Sequence, residues 1–264
     1  MDIFTREGFP PEDAYAHDAG DQRPTCRSKG SRRAAGTMTS GTCATGRLDG
    51  TQCVAMTLSV PVVPMSVEPS RLPAARLWTQ RLRLDASAPS LAAAVCDFHQ
   101  RNLAHFAPWE PPRRPDYLTI PATEARLASE GLAFGTGHMW RYWLTRIEAP
   151  DHIIGQCQVS QIARGASQSA WLGYSLDEAA QGQGYMQEAM ATLLDELFSP
   201  RVWLHRIQAA VRPDNGPSLR VMARMGFAEE GLCRDYLFIN GAWRDHKIFA
   251  KVNPAWPRDA APAC

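Results

Sequence analysis

The stretch GYSLDEAAQGQGYMQEAMATLLDEL, residues 173–197, joins a strand-like segment to a helix-like segment through a glycine-containing turn. Gly182 and Gly184 allow positive φ angles and let a ligand approach the backbone closely. A helix that begins at this turn directs its unpaired amides and the positive end of its dipole into it. Six apolar residues lie at the spacing of one helical face: Met186, Ala189, Met190, Leu193, Leu194 and Leu197.

The glycine spacing matches neither G-x-x-x-x-G-K-[ST] nor G-x-G-x-x-G, which disfavours nucleoside triphosphates and dinucleotides as ligands. A helix start of this kind can still bind a pyrophosphate without any lysine. The turn alone therefore leaves two interpretations open, an ordinary strand-to-helix connection and a pyrophosphate site.

The composition is typical of a globular protein that has no strongly charged partner. The 264 residues carry a formal net charge of +1, with 45% hydrophobic and 21% charged residues. The seven cysteines are scattered, without metal-ligand spacing, which favours a reducing compartment. The longest apolar stretch, residues 54–67, is interrupted by Pro61 and Pro64 and is too short to span a bilayer. We therefore expect a cytoplasmic protein with no nucleic-acid or membrane partner.

Residues 1–70 differ from the rest of the chain. They are rich in Gly, Ser, Thr and Arg and show no period of 2 or 3.6, so we expect a disordered or low-complexity extension. It is either a regulatory segment or sequence upstream of a true start at Met56 or Met65. One folded domain is expected over 75–257, followed by a tail at 258–264.

The patterns of the folded part predict a mixed sheet with helices on its faces. Strands are predicted at 77–84, 139–148, 152–162, 169–176 and 203–211, and helices at 87–102, 118–131, 186–197 and 216–225. A turn is predicted at 149–151, and four prolines predict a loop at 105–115. Asn240-Gly241 predicts a closing hairpin, and Asp214 or Asn215 is expected to cap the helix that ends before Gly226.

Several separate motifs resemble one family. Residues 181–186 (QGQGYM) resemble the Q/R-x-x-G-x-G/A signature of the GNAT superfamily of acyl-CoA N-acetyltransferases, although Met186 stands where Gly or Ala is usual. Residues 215–227 resemble its N-x-x-S-x-x-x-x-x-x-G-F segment. Residues 106–111 and 231–250 resemble the early loop and the closing hairpin of the RimJ/RimL-type ribosomal-protein-alanine N-acetyltransferases. The resemblance covers residues 75–257 and implies a GNAT fold, a mixed, mostly antiparallel twisted sheet flanked by helices.

The resemblance implies acetyl-CoA as the cosubstrate and assigns residues to it. The residues assigned to cofactor binding are Tyr174, Ser175, Leu176, Gln181, Gly182, Gln183, Gly184, Met186, Gln187, Asn215 and Ser218. Backbone amides of the 183–187 segment would hold the pyrophosphate. Residues 174–176 would pair with the pantetheine arm where the strand splays or bulges, and one of their N–H groups would stabilise the oxyanion, an effect of about 3 kcal/mol.

The proton donor and the base are assigned with alternatives. Ser218 is the expected proton donor to the thiolate, with Tyr174 or Tyr236 as alternatives, and both Asn215 and Ser218 could instead serve only the helix start. Three carboxylates are candidate bases: Glu110, Asp235 and Glu230. A peptide α-amino group with a pKa near 7.7–8.0 needs only about 1 kcal/mol to lose its proton at pH 7, against nearly 5 for lysine.

Two histidines and four tryptophans are expected to be structural. His205 and His246 have no metal-ligand spacing. Four tryptophans are expected to pack: Trp109, Trp171, Trp203 and Trp243. Trp109 is also a candidate for the wall of the substrate groove.

The predicted function is acetyl-CoA-dependent N-acetylation of a protein N-terminus, Ala or Ser of a ribosomal protein, by direct transfer in a ternary complex. No cysteine lies in a motif that would form an acetyl-enzyme. The alternatives are acetylation of a small amine, a free amino acid or an antibiotic, and an acyl-CoA-binding module without turnover. A monomer or weak dimer is expected.

Overall fold

The computed structural model describes residues 71–259. The predicted extension at 1–70 and the last five residues of the predicted tail lie outside this range. Eight strands and five α-helices follow in chain order: β1 Arg76–Trp78, β2 Leu82–Ala86, α1 Ala92–Arg101, α2 Leu103–Phe106, α3 Ile120–Gly135, β3 Trp140–Arg146, β4 Ala149–Ala163, β5 Ser169–Leu176, α4 Tyr185–Phe198, β6 Arg206–Val211, α5 Gly216–Arg224, β7 Ala228–Ile239 and β8 Ala242–Val252.

All eight strands form one sheet in the order β1-β2-β3-β4-β5-β6-β8-β7. Neighbouring strands are antiparallel except β5 and β6, which are parallel and are joined by the crossover through α4. The predicted mixed, mostly antiparallel sheet with flanking helices is therefore confirmed.

Two apolar clusters hold helices against the sheet. All six apolar residues of the α4 stripe are buried in the larger cluster, which confirms the face predicted from their spacing. The smaller cluster packs α1 and α3 on the sheet through Phe98, Leu127, Trp143 and Ile153. Burying a side chain of this size stabilises the fold by roughly 1.5–3 kcal/mol.

β5 and β6 separate along their length. They pair only from Ser169 to Trp171 on β5 and from Arg206 to Gln208 on β6. Both strands continue for several residues beyond the last pair, β5 to Leu176 and β6 to Val211. The sheet is thus open between the carboxyl halves of these strands, which is the splay that the resemblance implied.

The final hairpin forms as predicted, because Asn240 and Gly241 both take positive φ angles, 48° and 75°. Asn215 rather than Asp214 caps α5, where its side chain accepts a hydrogen bond from the amide of Ser218. Gly226, with a φ of 71°, follows the end of that helix.

Several predicted boundaries were wrong. The single strand at 77–84 is two antiparallel strands, β1 and β2, because the chain turns at 79–81, where the side chain of Thr79 accepts a hydrogen bond from the amide of Leu82. The turn predicted at 149–151 is instead at 147–148, and residues 149–151 belong to β4. The first helix begins at Ala92, after a 3₁₀ turn at Pro89–Leu91.

Three other elements differ in length. The helix predicted at 118–131 is Ile120–Gly135, of 16 residues. The loop predicted at 105–115 begins only after α2, which ends at Phe106. The strand predicted from residue 203 begins at Arg206, because Trp203 has a φ of 53° and cannot belong to a regular strand.

Candidate active site

The loop between β5 and α4 has the geometry expected of an anion site. Gly182 and Gly184 have φ angles of 76° and 79°, and a Cβ added at Gly182 would meet no atom within 4 Å. The amide of Glu188 donates to the carbonyl of Gly184 at 3.1 Å. The amides just before Glu188 therefore lie at the open start of α4, where an α-helix leaves its first donors without backbone partners.

Arg81 holds this loop in place, a role that the sequence did not predict. Its Nη1 donates to the carbonyl of Gln183 at 3.1 Å, its Nε donates to Glu188 at 2.7 Å, and its guanidinium lies 4.5 Å from the ring centre of Tyr185. The arginine thereby places positive charge beside the loop. No sequence pattern links Arg81 to a motif 100 positions further along the chain.

Met186 points away from the loop. Its side chain is buried, and its sulfur lies 3.8 Å from Sγ of Cys157. A bulky residue is tolerated at this position because the first turn of α4 directs it into the core, so the departure from the family signature leaves the loop backbone intact.

Helices α1 and α2 support the other side of the loop. Asn102 accepts a hydrogen bond from the amide of Glu178 at 3.0 Å, and His105 lies 2.9 Å from the side-chain amide of Gln181. Arg101 pairs with the buried Asp177 at 2.7 Å. The turn that carries the glycines is therefore fixed before any ligand binds.

Two hydroxyl groups meet on the wall of the opening between β5 and β6. Tyr174 Oη on β5 lies 2.5 Å from Ser218 Oγ on α5. The amide of Ser218 donates to Asn215 Oδ1 at 3.1 Å, so the cap of α5 fixes the position of the serine. The structure thus brings together Tyr174, Ser218 and Asn215, three residues selected from the sequence.

Burial keeps the side chains of Tyr174 and Cys157 protonated. Burial raises the pKa of Tyr174 well above its ordinary value, although the hydrogen bond to Ser218 opposes the shift, so the phenol remains a proton donor. Burial also raises the pKa of Cys157, its cross-strand neighbour, to about 12. The thiol of Cys157 therefore stays protonated and is a poor nucleophile.

Among the three carboxylates selected from the sequence, Glu110 is the buried one. Arg113 donates to its Oε2 at 3.0 Å, while its buried Oε1 has no hydrogen-bond partner within residues 71–259. Arg113 also lies over one face of Tyr117, 4.1 Å from the ring centre. An unpaired buried carboxylate oxygen has a strong tendency to accept a hydrogen bond from a ligand.

Arg212 fixes the Glu110 loop to the end of β6. Its Nη1 donates to the carbonyl of Pro108 at 2.6 Å, and its guanidinium lies 4.8 Å from the ring centre of Trp109. Its Nε donates to Asp214 at 3.0 Å. Trp109 thus lies near the end of β6. Arg212 itself was missed, although it lies only three residues before Asn215.

The other two carboxylates, Asp235 and Glu230, are exposed on β7. Asp235 is exposed on β7 with a φ of 47°, and its amide donates to Asp245 on the neighbouring strand β8. Glu230 pairs with Arg206, the first residue of β6, at the end away from α5. The structure therefore does not bring Glu230 to the opening.

The structure also places a histidine and a tryptophan that were considered in the sequence. His205 lies just before β6 and packs edge-on against Trp256, 5.3 Å between ring centres. Trp243, expected to be a packing residue, contacts Phe238 on the surface, where it is 57% exposed.

Comparison with known proteins places this geometry in a family. A family described as an acetyltransferase (GNAT) domain matches residues 81–228, from Arg81 through the glycine loop and α5. The chain belongs to the GNAT acetyltransferase family.

Individual GNAT relatives agree with this assignment. The [ribosomal protein uS5]-alanine N-acetyltransferase of Escherichia coli is 33% identical over 187 residues, which cover 71% of this chain and 95% of that protein. The ribosomal-protein-S5-alanine acetyltransferase of Vibrio fischeri is 32% identical, covering 70% of this chain and all of that chain with a TM-score of 0.66. Mycobacterium smegmatis RimJ, solved with a CoA-disulfide, is 30% identical, covering 71% and 91% with a TM-score of 0.65.

GNAT enzymes use acetyl-CoA, and the residues present fit that cosubstrate. The open glycine backbone at the start of α4 suits a pyrophosphate, and the carboxyl half of β5, whose edge toward β6 has no strand partner, suits an extended amide-containing arm. In the described part of the chain, no helix is long and apolar enough to cross a membrane.

Proposed function

We propose that this enzyme transfers the acetyl group of acetyl-CoA to the N-terminal amine of a protein, with an alanine or serine of a ribosomal protein as the acceptor. The observation that carries the proposal is the Tyr174–Ser218 hydroxyl pair on the wall of the opening between β5 and β6. Relatives named for ribosomal-protein alanine acetylation, 32–33% identical over about 70% of the chain, support the choice of acceptor.

Acetyl-CoA is held, in this proposal, by the start of α4 and by β5. Amides of the 183–187 segment bind the pyrophosphate, Gln181 and Gly182 shape the loop, and residues 174–176 pair with the pantetheine arm. The Oγ of Ser175, which is buried and has no hydrogen-bond partner in the described chain, lies on this segment. Asn215 fixes the start of α5 beside the arm.

Ser218 is the proposed proton donor to the departing thiolate. When the amine attacks the thioester carbonyl, the carbon–sulfur bond breaks and the sulfur takes the hydroxyl proton of Ser218. Tyr174 donates its own hydrogen bond to Ser218 Oγ and thereby stabilises the serine while it gives up that proton. A positioned acid of this kind typically contributes 10²–10⁴-fold to the rate.

Glu110 is the proposed acceptor of the proton that the amine loses. Two observations support this role. Oε1 of Glu110 is buried and has no hydrogen-bond partner in the described chain, and Arg212 holds the Glu110 loop at the opening. Asp235, an exposed carboxylate on the β7–β8 hairpin, remains the alternative. The raised pKa of Cys157 supports direct transfer, because a protonated buried thiol does not form an acetyl-enzyme.

A panel of acceptors tests the proposal. The full-length protein is incubated with labelled acetyl-CoA and matched peptides that start with Ala, Ser or Lys, with the same peptides blocked at the N-terminus, and with small amines. We expect label on the free Ala or Ser peptides and none on the blocked ones. Label on small amines alone, or CoA binding without transfer to any amine, would exclude the proposed acceptor.

Initial rates test the order of events. Direct transfer requires both substrates to be bound together, so double-reciprocal plots at several fixed acceptor concentrations should intersect. Parallel lines, or label that stays on the protein after acetyl-CoA is removed, would indicate an acetyl-enzyme. The proposed substrate would place the reaction in the cytoplasm, where ribosomal proteins are made.

A further inference from the structure

His246 on β8 lies at the edge of the opening, and the reaction as described makes no use of it. Its side chain is fully buried. The last residue pair between β6 and β8 is Val211 with Lys247, so His246 lies one position beyond the end of β6. On its other side it pairs with Cys233 of β7.

The hydrogen bonding of His246 defines which nitrogen carries the proton. Nδ1 lies 3.0 Å from the carbonyl oxygen of Arg244, and only a protonated Nδ1 can donate to that oxygen. In the neutral ring, Nε2 is then an acceptor with a free lone pair. Nε2 is buried and has no hydrogen-bond partner among residues 71–259, an arrangement that costs roughly 1–3 kcal/mol if nothing fills it.

Aromatic side chains connect the imidazole of His246 to β5. The ring of Tyr236 on β7 lies 5.6 Å from the imidazole and stacks on Trp171, with 6.5 Å between ring centres. Trp171 is the last residue of β5 that pairs with β6. Tyr236 lies where the register of β7 shifts, next to Asp235 with its φ of 47°. Tyr236, the aromatic neighbour of the imidazole, thus lies on the irregular part of its strand.

Burial keeps the imidazole of His246 neutral near pH 7. Burial lowers its pKa, and Arg212 acts in the same direction, while the bond to Arg244 O, Asp214 and Asp245 oppose the shift. Tyr236 and Cys233 of β7 also face the ring. Because the folded-state pKa lies below the ordinary value, the acceptor form of Nε2 is present at neutral pH and is lost only as the pH falls through that lowered pKa.

We propose that Nε2 of His246 accepts a hydrogen bond from an N–H of the acceptor's primary amine and so directs the nitrogen lone pair toward the thioester. This inference rests on the proposed function and names a binding residue for the acceptor of that same site. A primary amine suits the position because it offers N–H donors besides the lone pair that attacks. Arg212 connects this position to Glu110, because it holds the Glu110 loop and also acts electrostatically on the imidazole.

Two substitutions with different hydrogen bonding test the inference. His246→Phe keeps an aromatic ring but removes the acceptor atom, and His246→Gln keeps an acceptor oxygen. We expect kcat/KM for the acceptor peptide to fall 10- to 100-fold in the Phe variant and less than 10-fold in the Gln variant, with CoA affinity within two-fold of the unmodified enzyme in both. His152→Phe, an exposed histidine at the start of β4, is the matched control and should change neither value.

The pH profile separates this role from a structural one. Below neutral pH, protonation of the amine alone lowers kcat/KM tenfold per pH unit. In the unmodified enzyme the slope should steepen toward a hundredfold per unit once His246 also protonates, and the Gln variant should keep the shallower slope. Equal losses in the Phe and Gln variants, or the same profile in all forms, would overturn the inference.

A measurement without turnover keeps the two proposals distinguishable. The ¹⁵N resonance of His246 Nε2 is recorded with CoA bound, before and after an alanine-starting peptide is added. We expect an upfield shift when the lone pair accepts a hydrogen bond. An unmoved resonance at millimolar peptide counts against His246 even if the enzyme acetylates that peptide, whereas failure to acetylate any amine counts against the proposed function alone.

Discussion

The hydrogen bond between Tyr174 and Ser218 joins side chains that are 44 positions apart and that come from a strand and a helix. Each residue has a further constraint: Tyr174 is packed against the larger core, and Ser218 is fixed through its amide by Asn215. Both hydroxyl groups are therefore oriented before the cosubstrate binds. Preorganised donors of this kind need no rearrangement in the transition state, which is the main way in which such groups lower a barrier.

The first prediction concerns this hydroxyl pair. Ser218→Ala should lower kcat by about 10²-fold, while the affinity for CoA stays within a few-fold, because the side chain acts on the departing sulfur. Tyr174→Phe should lower kcat less, and the double variant should lose little more than Ser218→Ala alone, since the tyrosine acts through the serine. Ser129→Ala on the exposed face of α3 is the control. Additive losses would show that the two hydroxyl groups act independently.

The second prediction concerns the glycine loop. Gly182→Asp should raise the Kd for CoA at least 100-fold, because a carboxylate enters the site proposed for the pyrophosphate. Gly165→Asp is a matched control: Gly165 also has a positive φ, 64°, and an equally open Cβ position, but lies in the turn between β4 and β5. Both substitutions should lower stability by a similar amount, of the order of 1 kcal/mol. Calorimetry that gives equal CoA affinities for the two variants would refute the loop assignment.

The sequence identified residues of this site unevenly. Gly182, Gly184, Asn215 and Ser218 were selected because each belongs to a short local motif. Arg81 and Arg212 were not selected, because their contacts lie 102 and 104 positions away, and a single long-range contact leaves no periodic signal.

At the scale of elements, the opening is formed by what borders it. β5 and β6 separate after three residue pairs, α5 supplies Ser218, and the loop after α2 is tied to the end of β6 through Arg212. The amides of Trp109 and Glu110 bond back to the carbonyl of Phe106 in α2, and Arg212 supplies the bond from this loop to the end of β6. In the proposed arrangement, the acceptor side of the opening thus depends on Arg212, whereas the cosubstrate side depends on the start of α4.

The third prediction follows from that division. Arg212→Ala should raise the KM for the acceptor peptide about tenfold and leave the Kd for CoA unchanged within two-fold, because it releases Pro108 and Trp109 but not the glycine loop. Steady-state kinetics and calorimetry measure the two values. Arg224→Ala, an exposed arginine at the end of α5, is the control. A parallel loss of CoA affinity would mean that Arg212 supports α5 rather than the acceptor loop.

Element prediction succeeded where one local pattern dominated. The α4 stripe and the Asn240-Gly241 turn formed as predicted because helical spacing and turn chemistry act over a few residues. The hairpin of β1 and β2 was read as one strand because its turn contains no glycine or proline and is closed by the Thr79 side chain. The separation of β5 from β6 carries no local signal at all, and only the family resemblance implied it.

At the scale of the whole molecule, three residue pairs join β5 to β6, whereas six pairs join β6 to β8. The two parts of the sheet are also held together by the larger apolar cluster, which includes residues of both β5 and β6 along with α4. The junction of β5 and β6 is therefore the shortest pairing between two interior strands of the described sheet. A ligand that bridges β5 and the start of α4 should strengthen it more than any other region.

The fourth prediction is the effect of CoA on the whole fold. At 100 times its Kd, CoA should stabilise the protein by about 2.7 kcal/mol, which corresponds to a rise in Tm of about 5–10 °C for a domain of this size. Amide hydrogen exchange should slow most at 172–176 and 183–187, where backbone donors gain partners, and should change little in the β7–β8 hairpin. Protection spread evenly over the sheet would show that CoA acts through general stabilisation, and its site would then have to be sought outside the opening.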